Sequence, residues 1–121
     1  MTHFATSAVR SGIETDTQFG AVTPPIYLTS NYSFEGFGKP RKYDYARSGN
    51  PPRGGLEGAL TELEHGAGAT VTSSGMSAVS LPLQLLQPGD LLIAPHDCYG
   101  GSYRLFSNLA KKGHFELLFV D

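Results

Sequence analysis

Hydrophobic and polar positions divide the chain into two parts with different patterns. Residues 1–55 show little sustained periodicity, and scattered prolines and glycines interrupt any long helix there, so that only a turn or two of helix is predicted over residues 7–13. The spacing becomes helical over residues 56–63, where leucine and alanine recur on one face and glutamates occupy the others. Gly66 then predicts the end of this helix.

Strand and helix signals alternate after this helix. Residues 69–72, 91–94 and 115–120 are predicted as short strands. A helix is expected to open near Gly75 and to run to Leu86, with Pro82 kinking or shortening it. This alternation predicts an α/β class with a parallel sheet and crossover helices.

Another helix is predicted over residues 102–112, after a turn at residues 87–90. Its inward-facing side chains are predicted to be Tyr103, Phe106, Leu109 and Ala110. Three short strands and three helices cover the two faces of a parallel sheet poorly. We therefore interpret residues 56–121 as the truncated start of a larger α/β domain.

The irregular first part is too rich in apolar side chains to be a disordered tail. Its large apolar residues are Phe19, Ile26, Tyr27, Leu28, Tyr32, Phe34, Phe37, Tyr43 and Tyr45. An irregular segment of this length is unusual inside a compact domain. We therefore predict that residues 1–55 form an extended arm that packs on a neighbouring subunit.

Composition narrows the class of function. Nine basic and eleven acidic residues give a net charge of −2. This balance does not predict the excess of positive charge that binds nucleic acid or an anionic membrane. No apolar run approaches the ~20 residues of a membrane span, and the start lacks the pattern of a secretory signal. The single cysteine, Cys98, excludes an intrachain disulfide, and a cytoplasmic protein is expected. His96, Asp97 and Cys98 are consecutive and cannot easily face one ion, so no metal site is predicted.

Residues 72–78 are a candidate anion site because small residues lie there at a predicted strand-to-helix junction. The first amides of a helix lack intrahelical partners, and the helix dipole favours an anion beside them. Gly75 would let the backbone approach a phosphate closely. The alternative, in which Ser73 or Ser74 is only an N-cap worth ~1 kcal/mol, stays open.

Two further segments carry candidate binding groups. Residues 44–53 contain a tyrosine hydroxyl and an arginine fork suited to phosphate or carboxylate oxygens, although such a turn is usually a solvated loop. Residues 96–104 follow a predicted buried strand, where ligands of open α/β sheets bind. Tyr99 could stack on a flat cofactor there, with core packing as the alternative.

Five segments together resemble the Cys/Met-metabolism family of pyridoxal-phosphate enzymes: AVRSG, TPPIYLTSNYSF, DYARSGNP, SSGMSA and LLIAPHDCYGGSYRLF. The last segment is more similar to the synthase members of the family than to its other members. The resemblance implies an amino-terminal arm followed by the first part of a mainly parallel-sheet transferase large domain, aspartate aminotransferase-like and of fold type I. It also implies a homo-oligomer, a dimer of dimers.

The resemblance further implies a cofactor site for pyridoxal 5'-phosphate. The backbone amides of Gly75 and Met76 would hold the phosphate. Tyr45 and Arg47 would reach the phosphate of the neighbouring subunit's cofactor. Tyr99 would stack on the pyridine ring and assist proton transfer as a catalytic residue.

Substrate contacts are implied at Asp44 and Arg104. The implied reaction, in transsulfuration towards methionine, joins O-succinyl-L-homoserine and L-cysteine by gamma-replacement to give L-cystathionine and succinate. Close relatives often carry arginine where Ser48 stands and threonine where Pro52 stands, which weakens the case for the succinyl group. The Schiff-base lysine is expected beyond residue 121, so the chain alone is predicted to be inactive.

The residues leave other interpretations of the function open. Within the family these are a cystathionine lyase, a methionine gamma-lyase or an O-acylhomoserine sulfhydrylase. Outside the enzyme class, the chain could be a non-catalytic product of a truncated gene. An independent small-ligand-binding domain is disfavoured, because it would leave the aromatic residues of the arm exposed.

Overall fold

The computed structural model describes residues 3–121 and forms two compact units. The first unit ends at Val71, and the second comprises Thr72–Asp121. No helix among the described residues is long and apolar enough to cross a lipid bilayer.

The first unit contains two helices, α1 (Phe4–Arg10) and α2 (Pro51–Leu63). Helix α1 lies three residues earlier than predicted, because the chain turns at Gly12, whose φ of 78° is incompatible with a right-handed helix. Helix α2 confirms the predicted helix at 56–63 but begins at Pro51, since proline is preorganised for the first helical turn.

The segment between these helices has neither a helix nor a ladder of strands. Single antiparallel bridges join Asn31 to Tyr45 and Gly36 to Lys39. Many of its apolar side chains face solvent in the isolated chain, with Leu28 94% exposed and Phe37 fully exposed. That the arm packs on a neighbouring subunit stays a prediction, which the exposure of these side chains motivates.

The second unit is a short parallel sheet with helices packed against it. Strands β1 (Leu91–Pro95) and β2 (Glu116–Val120) pair in parallel, and helix α4 (Gly100–Lys111) is the crossover between them. This arrangement confirms the predicted α/β class, both strands and the helix that joins them.

Pro82 limits the helix that opens at Gly75, as predicted. Helix α3 covers only Gly75–Ser80, and a 3₁₀ turn follows at Pro82–Leu85. A proline has no amide hydrogen to continue the α-helical pattern, and its ring crowds the preceding turn.

The predicted strand at residues 69–72 is wrong. A strand exists only through the ladder it forms with a neighbour, and no strand lies beside this segment within residues 3–121. The amide of Val71 instead donates to the Glu57 carboxylate at 3.1 Å.

The core of the second unit consists of Leu83, Ala94, Phe106 and Phe115. Phe106 is buried, which confirms its predicted inward orientation, and the partly exposed Tyr103 (46%) also contacts the sheet. Its ring stacks on Phe119 with the centroids 4.5 Å apart, so it contacts the sheet while its hydroxyl can reach water.

Candidate functional site

In the first unit, the candidate residues lie on a tight turn at residues 44–48. The turn is attached to the preceding segment by backbone hydrogen bonds from Tyr32 N to the Asp44 carbonyl at 2.9 Å and from Ala46 N to the Ser30 carbonyl at 2.8 Å. The amides of Ser48 and Gly49 both donate to the Tyr45 carbonyl. The side chains of the turn therefore project from a backbone that is held on both sides.

Asp44 stabilises this turn through its carboxylate. Its Oδ1 accepts hydrogen bonds from the Ser48 hydroxyl at 2.9 Å and from the Tyr45 amide at 2.7 Å. The Ser48 hydroxyl, followed by the Tyr45 amide, holds the pKa of the Asp44 carboxyl below its ordinary value. Asp44 is thus an anion at neutral pH, and its Oδ2 accepts no hydrogen bond from any described residue.

Tyr45 and Arg47 present their polar groups outwards from the turn. The Arg47 guanidinium lies 5.1 Å from the centroid of the Tyr45 ring, a cation–π arrangement that keeps the two groups together. Both side chains are exposed, and within residues 3–121 Arg47 forms no ion pair. A hydroxyl and a guanidinium are therefore free to bind an external anion.

In the second unit, the start of α3 has two open amides. Ser74 is the N-cap, and its hydroxyl oxygen accepts from the Ser77 amide at 3.1 Å. No acceptor among the described residues takes the amides of Gly75 or Met76. Within residues 3–121, a Cβ on Gly75 would meet nothing within 4 Å, so the space beside this glycine is open.

Gly101 brings Tyr99 and Met76 together, although the two lie far apart in the sequence. A Cβ on Gly101 would lie 2.6 Å from Cε1 of Tyr99 and 3.2 Å from Sδ of Met76, which leaves room only for glycine. The Ser102 hydroxyl also points at the Met76 sulfur, 3.9 Å away. Sequence reasoning missed Gly101, and its one signal was the Gly-Gly pair directly after Tyr99.

Tyr99 is not a core residue in this structure. It is 72% exposed at the start of α4, which argues against the alternative of core packing. Arg104 is also exposed, and its Nη1 lies 3.7 Å from where a Cβ on Gly100 would be. An aromatic ring and a cation thus lie near the start of α4.

The seven predicted residues therefore form two groups. Asp44, Tyr45 and Arg47 lie on one turn of the first unit. The second unit contributes the other four, and there the structure joins Met76 to Tyr99 through Gly101.

Residues 5–121 match the model of the family described as Cys/Met metabolism PLP-dependent enzyme, where PLP is pyridoxal 5'-phosphate. The chain belongs to this family. The resemblance inferred from the five segments is thereby confirmed. The fold class is confirmed as well, because solved structures match the whole chain with TM-scores of 0.90 and 0.93.

Individual relatives are synthases and lyases. The chain is 60% identical to cystathionine gamma-synthase of Escherichia coli over 97% of this chain and 31% of the relative. It is 42% identical to cystathionine beta-lyase of Lactococcus lactis over 93% of this chain and 30% of the relative. The crystal structure of cystathionine gamma-synthase from Xanthomonas oryzae, in complex with aminoacrylate and cysteine, matches with a TM-score of 0.93 and 61% identity over 100% of this chain and 32% of that one. The chain thus spans about a third of the length of these relatives.

Proposed function

We propose that the complete protein is a pyridoxal-phosphate enzyme that joins O-succinyl-L-homoserine and L-cysteine by gamma-replacement, giving L-cystathionine and succinate. The observation that carries this proposal is the 60% identity to a gamma-synthase over nearly the whole chain, against 42% to a beta-lyase. A cystathionine lyase is the second candidate, since lyases match over the same residues. A methionine gamma-lyase and an O-acylhomoserine sulfhydrylase are further members of the same class.

The described residues fit a phosphate-bearing cofactor. We propose that the open amides of Gly75 and Met76 donate to the phosphate, because the first turn of a helix favours an anion. The open space beside Gly75, where a Cβ would meet no described atom within 4 Å, supports this role. The cofactor, when bound, supplies the electron sink of the reaction, and the protein supplies orientation and charge.

Tyr45 and Arg47 are proposed to bind the phosphate of a cofactor held by a neighbouring copy of the chain. Their free hydroxyl and guanidinium, together with the exposed apolar side chains of the arm, support this proposal. The same argument supports a homo-oligomer, for which we propose a dimer of dimers. A cytoplasmic location stays a prediction from the sequence.

Tyr99 is proposed to stack on the cofactor ring and to move a proton through its hydroxyl. Its 72% exposure leaves a ring face available, and Gly101 sets where that face lies. Arg104 is proposed to bind a substrate carboxylate, and the free Oδ2 of Asp44 a substrate ammonium group. Ser48 gives its hydroxyl to Asp44 and contributes no cation, so Arg104 would have to bind the distal carboxylate of a succinyl group without help from that position.

Substrate assays on the complete protein test this function. The protein loaded with pyridoxal 5'-phosphate is incubated with O-succinyl-L-homoserine and either L-cysteine or sulfide, and separately with L-cystathionine alone. We expect cystathionine and succinate with cysteine, and much slower turnover with sulfide. Preferential elimination from cystathionine would identify a lyase, and faster reaction with sulfide a sulfhydrylase.

Gly101→Ala should weaken cofactor binding, because a methyl group 2.6 Å from the Tyr99 ring must displace that ring. Losing one aromatic stacking contact predicts a roughly 2- to 10-fold weaker affinity for pyridoxal 5'-phosphate in equilibrium dialysis. Gly100→Ala is the matched control, since its added Cβ meets only Nη1 of Arg104 at 3.7 Å. Equal affinities in the two variants would refute the role of Gly101 in placing Tyr99.

A further inference from the structure

We propose that Arg53 is a positioning residue that fixes the turn carrying Tyr45 and Arg47. Its guanidinium donates two hydrogen bonds, from Nη1 to the Ala46 carbonyl at 3.2 Å and from Nη2 to the Arg47 carbonyl at 3.1 Å. These carbonyls belong to the two peptide groups on either side of the Arg47 Cα. The two bonds therefore restrain both backbone dihedrals of Arg47 and, with them, the direction of its side chain.

The two carbonyls depend on Arg53. No other donor within residues 3–121 bonds to the Ala46 or Arg47 carbonyl. The other hydrogen bonds of the turn use the Asp44 carboxylate, the carbonyls of Asp44 and Tyr45, and the amide of Ala46, and none of them reaches these two carbonyls. Without the guanidinium, the two carbonyls next to the Arg47 Cα would keep no partner within residues 3–121. The peptide after Arg47 would then be held only by its Ser48 amide, which donates to the Tyr45 carbonyl at 3.1 Å, so this part of the turn would be less restrained.

The location of Arg53 would be unfavourable without such a role. It lies in the first turn of α2, where the helix dipole disfavours a cation. Helical side chains lean towards the N-terminus, which directs this guanidinium back at the turn. The Glu57 carboxylate, one helical turn later, lies 3.8 Å from Nε of Arg53 and also accepts the Val71 amide. Carbonyls on one side and a carboxylate on the other thus hold a cation that is only 30% exposed.

The positioning role at residue 53 requires an arginine. A planar guanidinium can donate to two carbonyls and face a carboxylate at once, whereas the ammonium of lysine is a single point of charge without that fork. Arg53 touches neither cofactor nor substrate in this proposal, and it acts through Arg47. The inference rests on the proposed binding of the phosphate by Tyr45 and Arg47.

The test compares two ligands that differ only in the phosphate. The complete protein is stripped of cofactor, and its affinity for pyridoxal 5'-phosphate and for pyridoxal is measured by equilibrium dialysis. Arg53→Gln should weaken binding of pyridoxal 5'-phosphate by about tenfold, the loss of one charged hydrogen bond, and leave binding of pyridoxal unchanged. Arg53→Lys should bind more weakly than the wild type, because it keeps the charge without the fork.

A double variant separates positioning from general damage. In the Arg47→Ala background, Arg53→Gln should cause little further loss, because the group it positions is gone. Arg10→Ala is the control, since Arg10 is exposed and, among the residues that the structure describes, pairs with Glu14 alone, at 3.6 Å. It should bind both ligands like the wild type.

Failure of this inference is distinguishable from failure of the proposed site. If Arg47→Ala itself leaves the affinity for pyridoxal 5'-phosphate unchanged, the phosphate contact is wrong, and the positioning role falls with it. If Arg47→Ala weakens binding and Arg53→Gln does not, only the positioning role is wrong. Equal losses for pyridoxal and pyridoxal 5'-phosphate in Arg53→Gln would also overturn it, because they would indicate a general structural defect.

Discussion

Phe115→Ala is expected to lower the free energy of unfolding by about 3–5 kcal/mol, the usual cost of removing a buried phenylalanine. Phe115 is the least exposed residue in the core of the second unit, at 3%, and it packs with Leu83, Ala94 and Phe106. The cavity left by the ring would lie where β2 begins, between the sheet and α4. Urea-induced unfolding of the complete protein, followed by circular dichroism, measures the change.

Phe115→Leu provides the matched control. It keeps most of the apolar volume, so its cost should stay below about 1.5 kcal/mol. Similar destabilisation by both substitutions, or a loss under about 1 kcal/mol in Phe115→Ala, would show that this core does not hold the unit together. Binding of pyridoxal 5'-phosphate by folded Phe115→Leu should match the wild type.

Arg47→Ala is expected to weaken the binding of pyridoxal 5'-phosphate in the complete protein by roughly 10- to 100-fold. This corresponds to the ~1.5–3 kcal/mol of a hydrogen bond to a charged group. The guanidinium has no carboxylate partner within residues 3–121, so its removal should destabilise the fold little and act mainly on the ligand. Equilibrium dialysis of the stripped protein measures the affinity.

Arg41→Ala is the control for this prediction. Arg41 is an exposed arginine of the same unit, and it pairs with Glu35 at 3.5 Å. Its removal takes away the same charge without touching the turn at residues 44–48, and the affinity should not change. Unaltered affinity in Arg47→Ala would remove Arg47 from the proposed phosphate site.

The elements that the sequence predicted well are those with local causes. The strand at residues 91–94, the helix that follows it and the strand at residues 115–120 all agree with the structure. The two strands are short, mainly apolar runs, the helix has a clear hydrophobic period, and turn residues separate the three elements. Pro82 shortens its helix because its ring crowds the preceding turn and it has no amide hydrogen, both of which are properties of the residue itself. The strand predicted at residues 69–72 failed because a strand also needs a neighbour, which a local pattern does not contain.

In the candidate site, too, some features could be predicted from local sequence and others depend on tertiary contacts. Tyr45, Arg47, Gly75 and Tyr99 could be singled out from residue type, their place in the chain and the family resemblance. No local pattern predicts that Tyr99 and Met76 meet beside Gly101, because that contact depends on the path of two helices.

By itself, the sequence determined the α/β class, the family and the residues able to bind a phosphate or stack on a ring. These properties follow from periodicity and side-chain chemistry, which are local to each segment. Only the tertiary structure decided that the Arg53 guanidinium clamps the peptides around Arg47 and that Tyr103 stays exposed on Phe119. Hydrogen bonds and ring contacts of this kind require particular distances between groups, and only the folded chain sets those distances.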